Sequence, residues 1–311
     1  MELTVVMYHY VRYIKDSFFK NIKGLEFELF KKQIDFLGKN FNFITAEDLI
    51  NHLYDGKELP KKPLILTFDD GYIDHYLYVF PYLFSLGIQG SFFVPVKAIS
   101  ENKILDVNKI HFILDALNYN SEILMKELNH LIEKYKKDFN LFDFEYYYNA
   151  YAKANRFDDK NIVFVKKMLQ VVLPENLRKD INNYLFEKYV GFSEEAFSKN
   201  LYMNREHLLV MLKNGMHIGS HGYDHFWYNS LDEDSQRMQI EISRKFLLDL
   251  GVDGKYLSFC YPYGAYNDKT IKILSELEFK IAYTTEVKSY DMSFEKRYLI
   301  PRFDTNDFLN F

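Results

Sequence analysis

Cysteine is nearly absent from this chain of 311 residues, since Cys260 is the only one. A single thiol excludes the framework of intrachain disulfides that stabilises many small secreted domains. The chain also lacks a long apolar run near its start, because the stretch from Leu3 to Tyr8 is too short for the core of a signal peptide. Both absences favour a cytoplasmic protein.

An excess of positive charge is also lacking. The formal net charge is −5, so the chain has no basic footprint for nucleic acid and no charge pattern for a membrane surface. No apolar run is long enough for a transmembrane segment. Tryptophan occurs once, against 29 Phe and 26 Tyr, and we interpret these aromatics as core packing rather than as sugar-stacking surfaces. The composition is that of a globular protein with one large domain or two modest ones.

The most informative stretch runs from Pro63 to Tyr72. Its apolar part predicts a buried strand, and Asp69 and Asp70 follow directly where that strand must end before Gly71. Paired carboxylates at the end of a buried strand are costly unless something compensates their charge. A metal ion would do so. The alternative is a solvated Asp-Asp-Gly turn between two elements.

The residues around this stretch predict alternating strands and helices. Leu3 to Tyr8 reads as a strand that delivers His9 at its carboxyl end, and Thr45 with Asp48 resembles a helix start. After Gly71, Asp74 can cap a helix, and a strand follows at 89–96. Strand, helix and strand at this spacing indicate a βαβ unit with parallel strands.

The pattern changes after residue 105. The next hundred residues have almost no Gly and carry helical apolar stripes, so we predict a mostly helical insertion at 106–205. The strand and helix rhythm resumes with Asn204 as a helix cap, and Asp232 and Asp268 begin later helices. We therefore expect one α/β domain made of residues 1–105 and 206–311.

A second polar cluster follows the predicted strand that ends at Ser220. His221 and His225 are four residues apart, so their side chains would share one face if the turn between them were helical. Alone, a pair of histidines at this spacing is a weak signal. Together with the carboxylates after the earlier strand, two imidazoles supply a ligand set that leaves positions open for water and substrate.

Three motifs in order resemble those of a known family. They are Thr67-Phe68-Asp69-Asp70-Gly71, His221 to His225, and Phe259-Cys260-Tyr261-Pro262-Tyr263-Gly264, and they are similar to the first three motifs of the NodB-type polysaccharide deacetylases, carbohydrate esterase family four. The resemblance implies an α/β fold, a distorted (β/α) barrel of about seven strands. It also implies metal-dependent removal of an N-acetyl group from a sugar.

The resemblance also implies roles for individual residues. Asp70, His221 and His225 would hold one divalent metal ion, for which zinc is the first candidate. Asp69 would be the general base for the metal-bound water. Tyr263 would offer its backbone N–H to the oxyanion, whereas a plain turn is the alternative for its motif.

Two departures from the family pattern change these assignments. Cys260 stands where many relatives carry an Arg that orients the base, and Arg302 is our candidate for that role, with a surface arginine as the alternative. The family's C-terminal histidine motif is absent, since no His follows His225. Circularly permuted relatives carry this His after an N-terminal strand, and Tyr8-His9 resembles that arrangement. We therefore expect His9 to be the general acid, across the metal from Asp69 with room for a substrate carbonyl between them.

The expected substrate is an N-acylated sugar in a glycan or a glycan precursor, such as a lipid-linked or nucleotide-linked precursor of a surface glycan. A deformylase of such a sugar is the first alternative, because the same family includes deformylases. A glycan-binding protein without catalysis is the second. The presence of Asp69 beside Asp70, His221 and His225 argues against it, because a binder needs no base next to the ligands.

Overall fold

The computed structural model describes residues 2–308, which form two compact units. The first, here called the α/β unit, comprises the chain up to Tyr13, Lys23–Lys103 and everything described from Ser198 onward. The second, here called the helical unit, comprises Ile14–Ile22 and Ile104–Phe197. The domain bounds that we expect from the sequence, 1–105 with 206–311 and 106–205, stay a prediction, because they describe parts of the chain that would fold independently.

The described residues contain ten strands and thirteen α-helices. The strands are β1 Thr4–Tyr8, β2 Val11–Arg12, β3 Leu25–Glu26, β4 Asn42–Phe43, β5 Pro63–Phe68, β6 Gly90–Val94, β7 His217–Ser220, β8 Ser258–Cys260, β9 Ile281–Tyr283 and β10 Phe303–Asp304. The helices are α1 Phe27–Asn40, α2 Ala46–Asp55, α3 Phe80–Ser85, α4 Val96–Glu101, α5 Asp106–Ala116, α6 Ser121–Tyr135, α7 Phe144–Tyr151, α8 Lys160–Lys167, α9 Glu175–Tyr189, α10 Glu194–Leu201, α11 Arg205–Lys213, α12 Glu233–Leu250 and α13 Asp268–Glu276. Two π-helical segments, His75–Val79 and Met168–Val172, adjoin α3 and α8.

The α/β unit is built on one curled parallel sheet. Its strand order is β10-β1-β5-β6-β7-β8-β9, with β4 paired to β5, and every pairing in it is parallel. A single parallel bridge between Tyr283 and Ile300 connects β9 to the segment before β10. The sheet forms a half-barrel with helices around it, which confirms the predicted α/β barrel. All carboxyl ends of its strands therefore meet at one edge.

Capping side chains define several helix starts, as the sequence predicts. Thr45 and Asp48 form a reciprocal capping box at α2, and the Asp232 side chain accepts a hydrogen bond from the backbone N–H of Ser235 at α12. The prediction that Asp74 caps the following helix is wrong. Its carboxylate instead accepts a 2.6 Å hydrogen bond from Nε of Arg12.

The side chains of β5 alternate between the two faces of the sheet, and those on the inner face change from apolar to polar toward the carboxyl end of the strand. Ile65 belongs to a buried apolar cluster inside the half-barrel, together with residues of neighbouring elements: Leu3, Val5, Ile44, Phe93, Cys260, Ile281 and Tyr283. Because strand side chains alternate between faces, Thr67 and Asp69 follow Ile65 on this inner face. The barrel interior is therefore apolar at its centre and becomes polar where β5 ends.

A buried polar chain lies at the opposite end of the sheet from the paired carboxylates. His217, the first residue of β7, contacts Glu47 through Nδ1 and Ser258 through Nε2, both at 2.7 Å. The order of these bonds is that of a Ser-His-Glu triad. Ser258 is fully buried, however, so a substrate cannot reach its hydroxyl. These two hydrogen bonds of His217 link α2, β7 and β8, and their role is structural.

The helical unit has its own core. Phe112 of α5 contacts Phe19 and Phe197 edge-on, with ring centroids 4.7 Å apart in both pairs. The buried Lys109 ammonium makes a 2.7 Å ion pair with Glu194. This unit matches the predicted helical character of the stretch after residue 105.

None of the helices in residues 2–308 has both the length and the apolar character needed to cross a bilayer.

Candidate metal and catalytic site

The carboxyl edge of the sheet collects both polar clusters predicted from the sequence. Asp69 and Asp70 follow β5, and His221 follows β7, which is separated from β5 by one strand. His225 lies four residues further along the chain. All four side chains are buried, with at most 8% of each residue exposed.

Three of these residues turn one ligand atom each toward a common point. Oδ1 of Asp70 lies 3.5 Å from Nε2 of His221 and 3.3 Å from Nε2 of His225, and the two nitrogens are 3.2 Å apart. A tetrahedral ion with bonds of about 2.0–2.1 Å spaces its ligands by roughly 3.3–3.4 Å. The spacing of Asp70, His221 and His225 therefore fits a divalent metal ion.

Hydrogen bonding fixes which nitrogen of His221 can bind such an ion. Its Nδ1 lies 2.8 Å from the carbonyl oxygen of Cys260, and a carbonyl can only accept, so Nδ1 carries the proton. The lone pair is then on Nε2, which faces Asp70. In addition, no hydrogen bond within the described residues reaches Oδ1 of Asp70. A bound cation would compensate the negative charge of a buried carboxylate oxygen that accepts no hydrogen bond.

The backbone at this site adopts unusual conformations. Asp70, His225 and Tyr263 have φ angles of +71°, +53° and +58°. These angles lie in the left-handed region, which residues other than Gly rarely adopt. Such strain of about 1–3 kcal/mol per residue persists only where the surrounding structure imposes it, often at functional sites. The turn between the two histidines is not helical, and the strained turn at His225 brings their rings together instead.

Arg302 holds Asp69 through a bidentate ion pair. Its Nη1 donates to Oδ1 at 2.9 Å and its Nη2 donates to Oδ2 at 2.8 Å. Further bonds from Nε to the Thr284 carbonyl and from Nη1 to Thr67 fix the guanidinium. Arg302 is 1% exposed, so the alternative of a surface arginine is wrong. The guanidinium thus reaches the acid from just before β10, while Cys260 occupies the motif position.

The charge of Arg302 keeps Asp69 ionised. Burial alone would raise the pKa of Asp69, but the charge of the Arg302 guanidinium paired with it outweighs burial and lowers the pKa to about 2. Sγ of Cys260 lies 3.4 Å from Oδ2, and burial raises the pKa of this thiol. Cys260 is therefore a neutral neighbour of the carboxylate.

His9 lies beside Asp69, just after β1. Its Nε2 is 4.0 Å from Oδ2 of Asp69, and 43% of its side chain is exposed to solvent. The expectation that a substrate carbonyl fits between these two groups is wrong, since 4.0 Å leaves no such space between them. Of the three histidines to which we assign a role at this edge of the sheet, His9, His221 and His225, only His9 has a side chain that is exposed to solvent.

Two further histidines of the α/β unit, His75 and His217, are the alternatives to His9 as proton donor, and they take other positions. His75 is fully buried, its Nε2 donates to the carbonyl oxygen of His9 at 2.8 Å, and burial lowers its pKa to about 4, so it stays neutral. His217 lies at the far end of the sheet in the contact with Glu47. His75 therefore supports the backbone of His9 rather than exchanging protons with a substrate.

Tyr263 lies in the turn Pro262–Gly264, next to the histidine pair. Its ring contacts the ring of His225 edge-on, with centroids 4.6 Å apart, and stacks on Trp227 at 4.6 Å with a 13° angle between planes. The turn after β8 thus lies against a candidate ligand. The role of its backbone N–H stays a prediction.

Sequence reasoning missed two supporting residues. Tyr72 donates a 2.6 Å hydrogen bond to Oδ2 of Asp70, and His75 holds the carbonyl of His9. Their closeness in sequence to Asp70 is the available signal, but a Tyr or His after a strand is usually only packed against the core. Neither contact follows from a residue pattern.

Comparison with known proteins finds similarity to polysaccharide deacetylases. A family model described as polysaccharide deacetylase matches residues 175–282, a range that contains His221, His225 and Tyr263. The putative polysaccharide deacetylase YxkH of Bacillus subtilis (strain 168) is 29% identical over 85 residues, which are 27% of this chain. That alignment spans 30% of the relative's own length. These matches confirm the resemblance drawn from the motifs.

Solved structures extend the similarity to the whole fold. The Streptococcus pyogenes deacetylase PplD, in complex with acetate, superposes with a TM-score of 0.59 at 15% identity over 98% of this chain and 92% of its own. IcaB from Ammonifex degensii gives 0.58 at 18% identity over 97% and 90%. The BpsB deacetylase domain from Bordetella bronchiseptica gives 0.55 at 14% identity over 97% and 95%. At these identities the superpositions show a shared fold.

Proposed function

We propose that this protein is a metal-dependent hydrolase that removes an N-acetyl group from a sugar in a glycan or a glycan precursor. The observation that carries the proposal is the convergence of Oδ1 of Asp70 with both Nε2 atoms of His221 and His225, beside the ion pair of Asp69 and Arg302. The similarity to polysaccharide deacetylases supports the substrate class.

The proposed ligands are Asp70, His221 and His225, and two imidazoles with one carboxylate make zinc the first candidate. When bound, such an ion acts as a Lewis acid toward the acyl oxygen and makes water a nucleophile near neutral pH. The neighbouring Asp69 is ionised and buried, and one of its carboxylate oxygens lies within 4.8 Å of a ring nitrogen of His221. We assign Asp69 as the base that takes a proton from the attacking water.

The remaining roles follow from position. Arg302 orients Asp69, because its two N–H groups fix the plane of the carboxylate. His9 gives a proton to the leaving amine, since it is exposed and beside Asp69, and histidine exchanges protons readily near neutral pH. The backbone N–H of Tyr263 donates to the acyl oxygen, a role supported by the position of its turn beside His225.

Release of free amine tests the proposal directly. Zinc-loaded protein is incubated with oligomers of N-acetylglucosamine and with their N-formylated equivalents, and primary amine is measured by fluorescence labelling. We expect amine release that stops on removal of the metal by a chelator and returns when zinc is added back. Binding of the oligomers without release of amine would instead support a glycan-binding protein. Release from the formylated oligomers alone would indicate a deformylase.

A prediction for His9 separates proton donation from a structural role. His9→Ala should lower turnover on N-acetylated sugars by about two to four orders of magnitude, because the amine then leaves without a proton donor. Turnover on 4-nitrophenyl acetate should fall far less, since that leaving group departs unprotonated. His52→Ala, in α2, is the matched control and should change neither rate. Equal losses on both substrates would assign His9 a structural role.

A further inference from the structure

The two oxygens of the Asp70 carboxylate have different surroundings. Oδ2 accepts a 2.6 Å hydrogen bond from the hydroxyl of Tyr72, whereas Oδ1 faces the Nε2 atoms of His221 and His225. An ionised carboxylate can only accept, so the Tyr72 hydroxyl is the donor. The hydroxyl thus occupies one oxygen and leaves the other directed at the histidines.

The ring of Tyr72 has two tyrosine neighbours, Tyr10 and Tyr202. It is fully buried and stacks on Tyr10, with centroids 4.0 Å apart and an 18° angle between planes. Tyr202 is nearly parallel to it at 6.2 Å, and the backbones of Tyr72 and Tyr202 form an antiparallel bridge. Close packing leaves a buried ring of this size little rotational freedom. Its hydroxyl is therefore held at a fixed point relative to Asp70.

The local backbone explains how a residue two positions away reaches this carboxylate. Asp70 and Gly71 have consecutive φ angles of +71° and +66°, so the chain reverses between Asp70 and Tyr72. A Cβ atom at Gly71 would lie 3.2 Å from a methyl of Val94 and 3.3 Å from one of Ile99. Glycine is therefore needed there for its φ angle and for space.

We propose that Tyr72 is a positioning residue for Asp70 that leaves Oδ1 as the atom available to a divalent cation. The inference rests on the proposed metal site. The hydrogen bond from Tyr72 to Asp70 is comparable to the one at His221, where the Cys260 carbonyl fixes the tautomer of the ring. Groups that orient metal ligands in this way typically change metal affinity by about 10–100-fold when they are removed.

Tyr72→Phe tests the proposal because it removes the hydroxyl and keeps the ring. Zinc affinity is measured by competition with a chromophoric chelator, together with the melting temperature of the metal-free protein. We expect the zinc dissociation constant to rise about 10–100-fold. Tyr8→Phe is the matched control, since it also removes a buried hydroxyl, one bonded to Gln33 at 2.7 Å. Its zinc affinity should stay at the wild-type value.

The outcomes separate this inference from the proposed function. If wild-type protein binds no zinc, the proposed function and the role of Tyr72 both fail. If wild-type protein binds zinc and Tyr72→Phe binds it equally well while melting at a lower temperature, Tyr72 is structural and only the present inference is overturned. Should Tyr72→Phe not fold in plain buffer, its zinc affinity is measured in the presence of sucrose, which stabilises compact states, beside wild-type protein in the same solution and with the same expected loss.

Discussion

Asp69→Asn is expected to keep its metal ion and to lose about two to four orders of magnitude in turnover, the usual cost of removing a general base. The amide has nearly the shape of the carboxylate, but it cannot take a proton from water at neutral pH. The ligand atoms of Asp70, His221 and His225 are unchanged in this variant. Metal content by mass spectrometry and amine release from N-acetylglucosamine oligomers provide the two measurements.

Asp70→Asn is the matched comparison at the neighbouring position. The neutral amide is a weaker ligand than the carboxylate, whichever of its atoms faces the ion, so this variant should lose metal as well as turnover. If both variants lost metal equally, the division into base and ligand would be wrong. Asp69→Asn also leaves Arg302 buried without its carboxylate. The double variant Asp69→Asn, Arg302→Met therefore provides a second protein in which the metal can be measured.

Arg302→Met should lower the free energy of unfolding by about 3–5 kcal/mol, because it leaves the charge of Asp69 buried without its partner. The pair is bidentate and the Arg302 side chain is fully buried. Replacing both partners removes both charges, so the double variant Asp69→Asn, Arg302→Met should be more stable than Arg302→Met alone. Urea denaturation of the four proteins in this cycle gives the coupling.

An exposed ion pair provides the control for Arg302. Arg237 contacts Glu276 at 2.5 Å on the surface, and Arg237→Met should cost at most about 1 kcal/mol, as is usual for exposed pairs. A loss for Arg302→Met no larger than that for Arg237→Met would contradict the assigned role. Reduced turnover in Arg302→Lys at nearly normal stability would be further support, because lysine cannot form the bidentate contact.

The position of the paired carboxylates could be predicted because local rules decide it. The apolar run of β5 must be buried, and Asp69 and Asp70 follow where the strand ends. The start of α2 was likewise predictable from Thr45 and Asp48, since a capping box depends only on neighbouring residues. The parallel sheet followed from the alternation of strands and helices.

The partners of these carboxylates could not be predicted with the same ease. Arg302 is 233 positions from Asp69, and β10, which follows it, has only two residues, so the pairing of β10 with β1 has little local signal. The turn at His225 has a positive φ angle, which the presence of a histidine in the sequence does not predict. The hydroxyl of Tyr72 reaches Asp70 only because the chain reverses at Gly71. These contacts are set by tertiary structure.

The most direct test of a catalytic metal site is the zinc content of the folded protein after dialysis against zinc and removal of excess. We predict one zinc ion per chain for wild-type protein and for the control His52→Ala, His130→Ala, and none for His221→Ala, His225→Ala. Circular dichroism confirms that each protein is folded. Equal zinc content in the folded His221→Ala, His225→Ala variant and in wild-type protein would contradict the site.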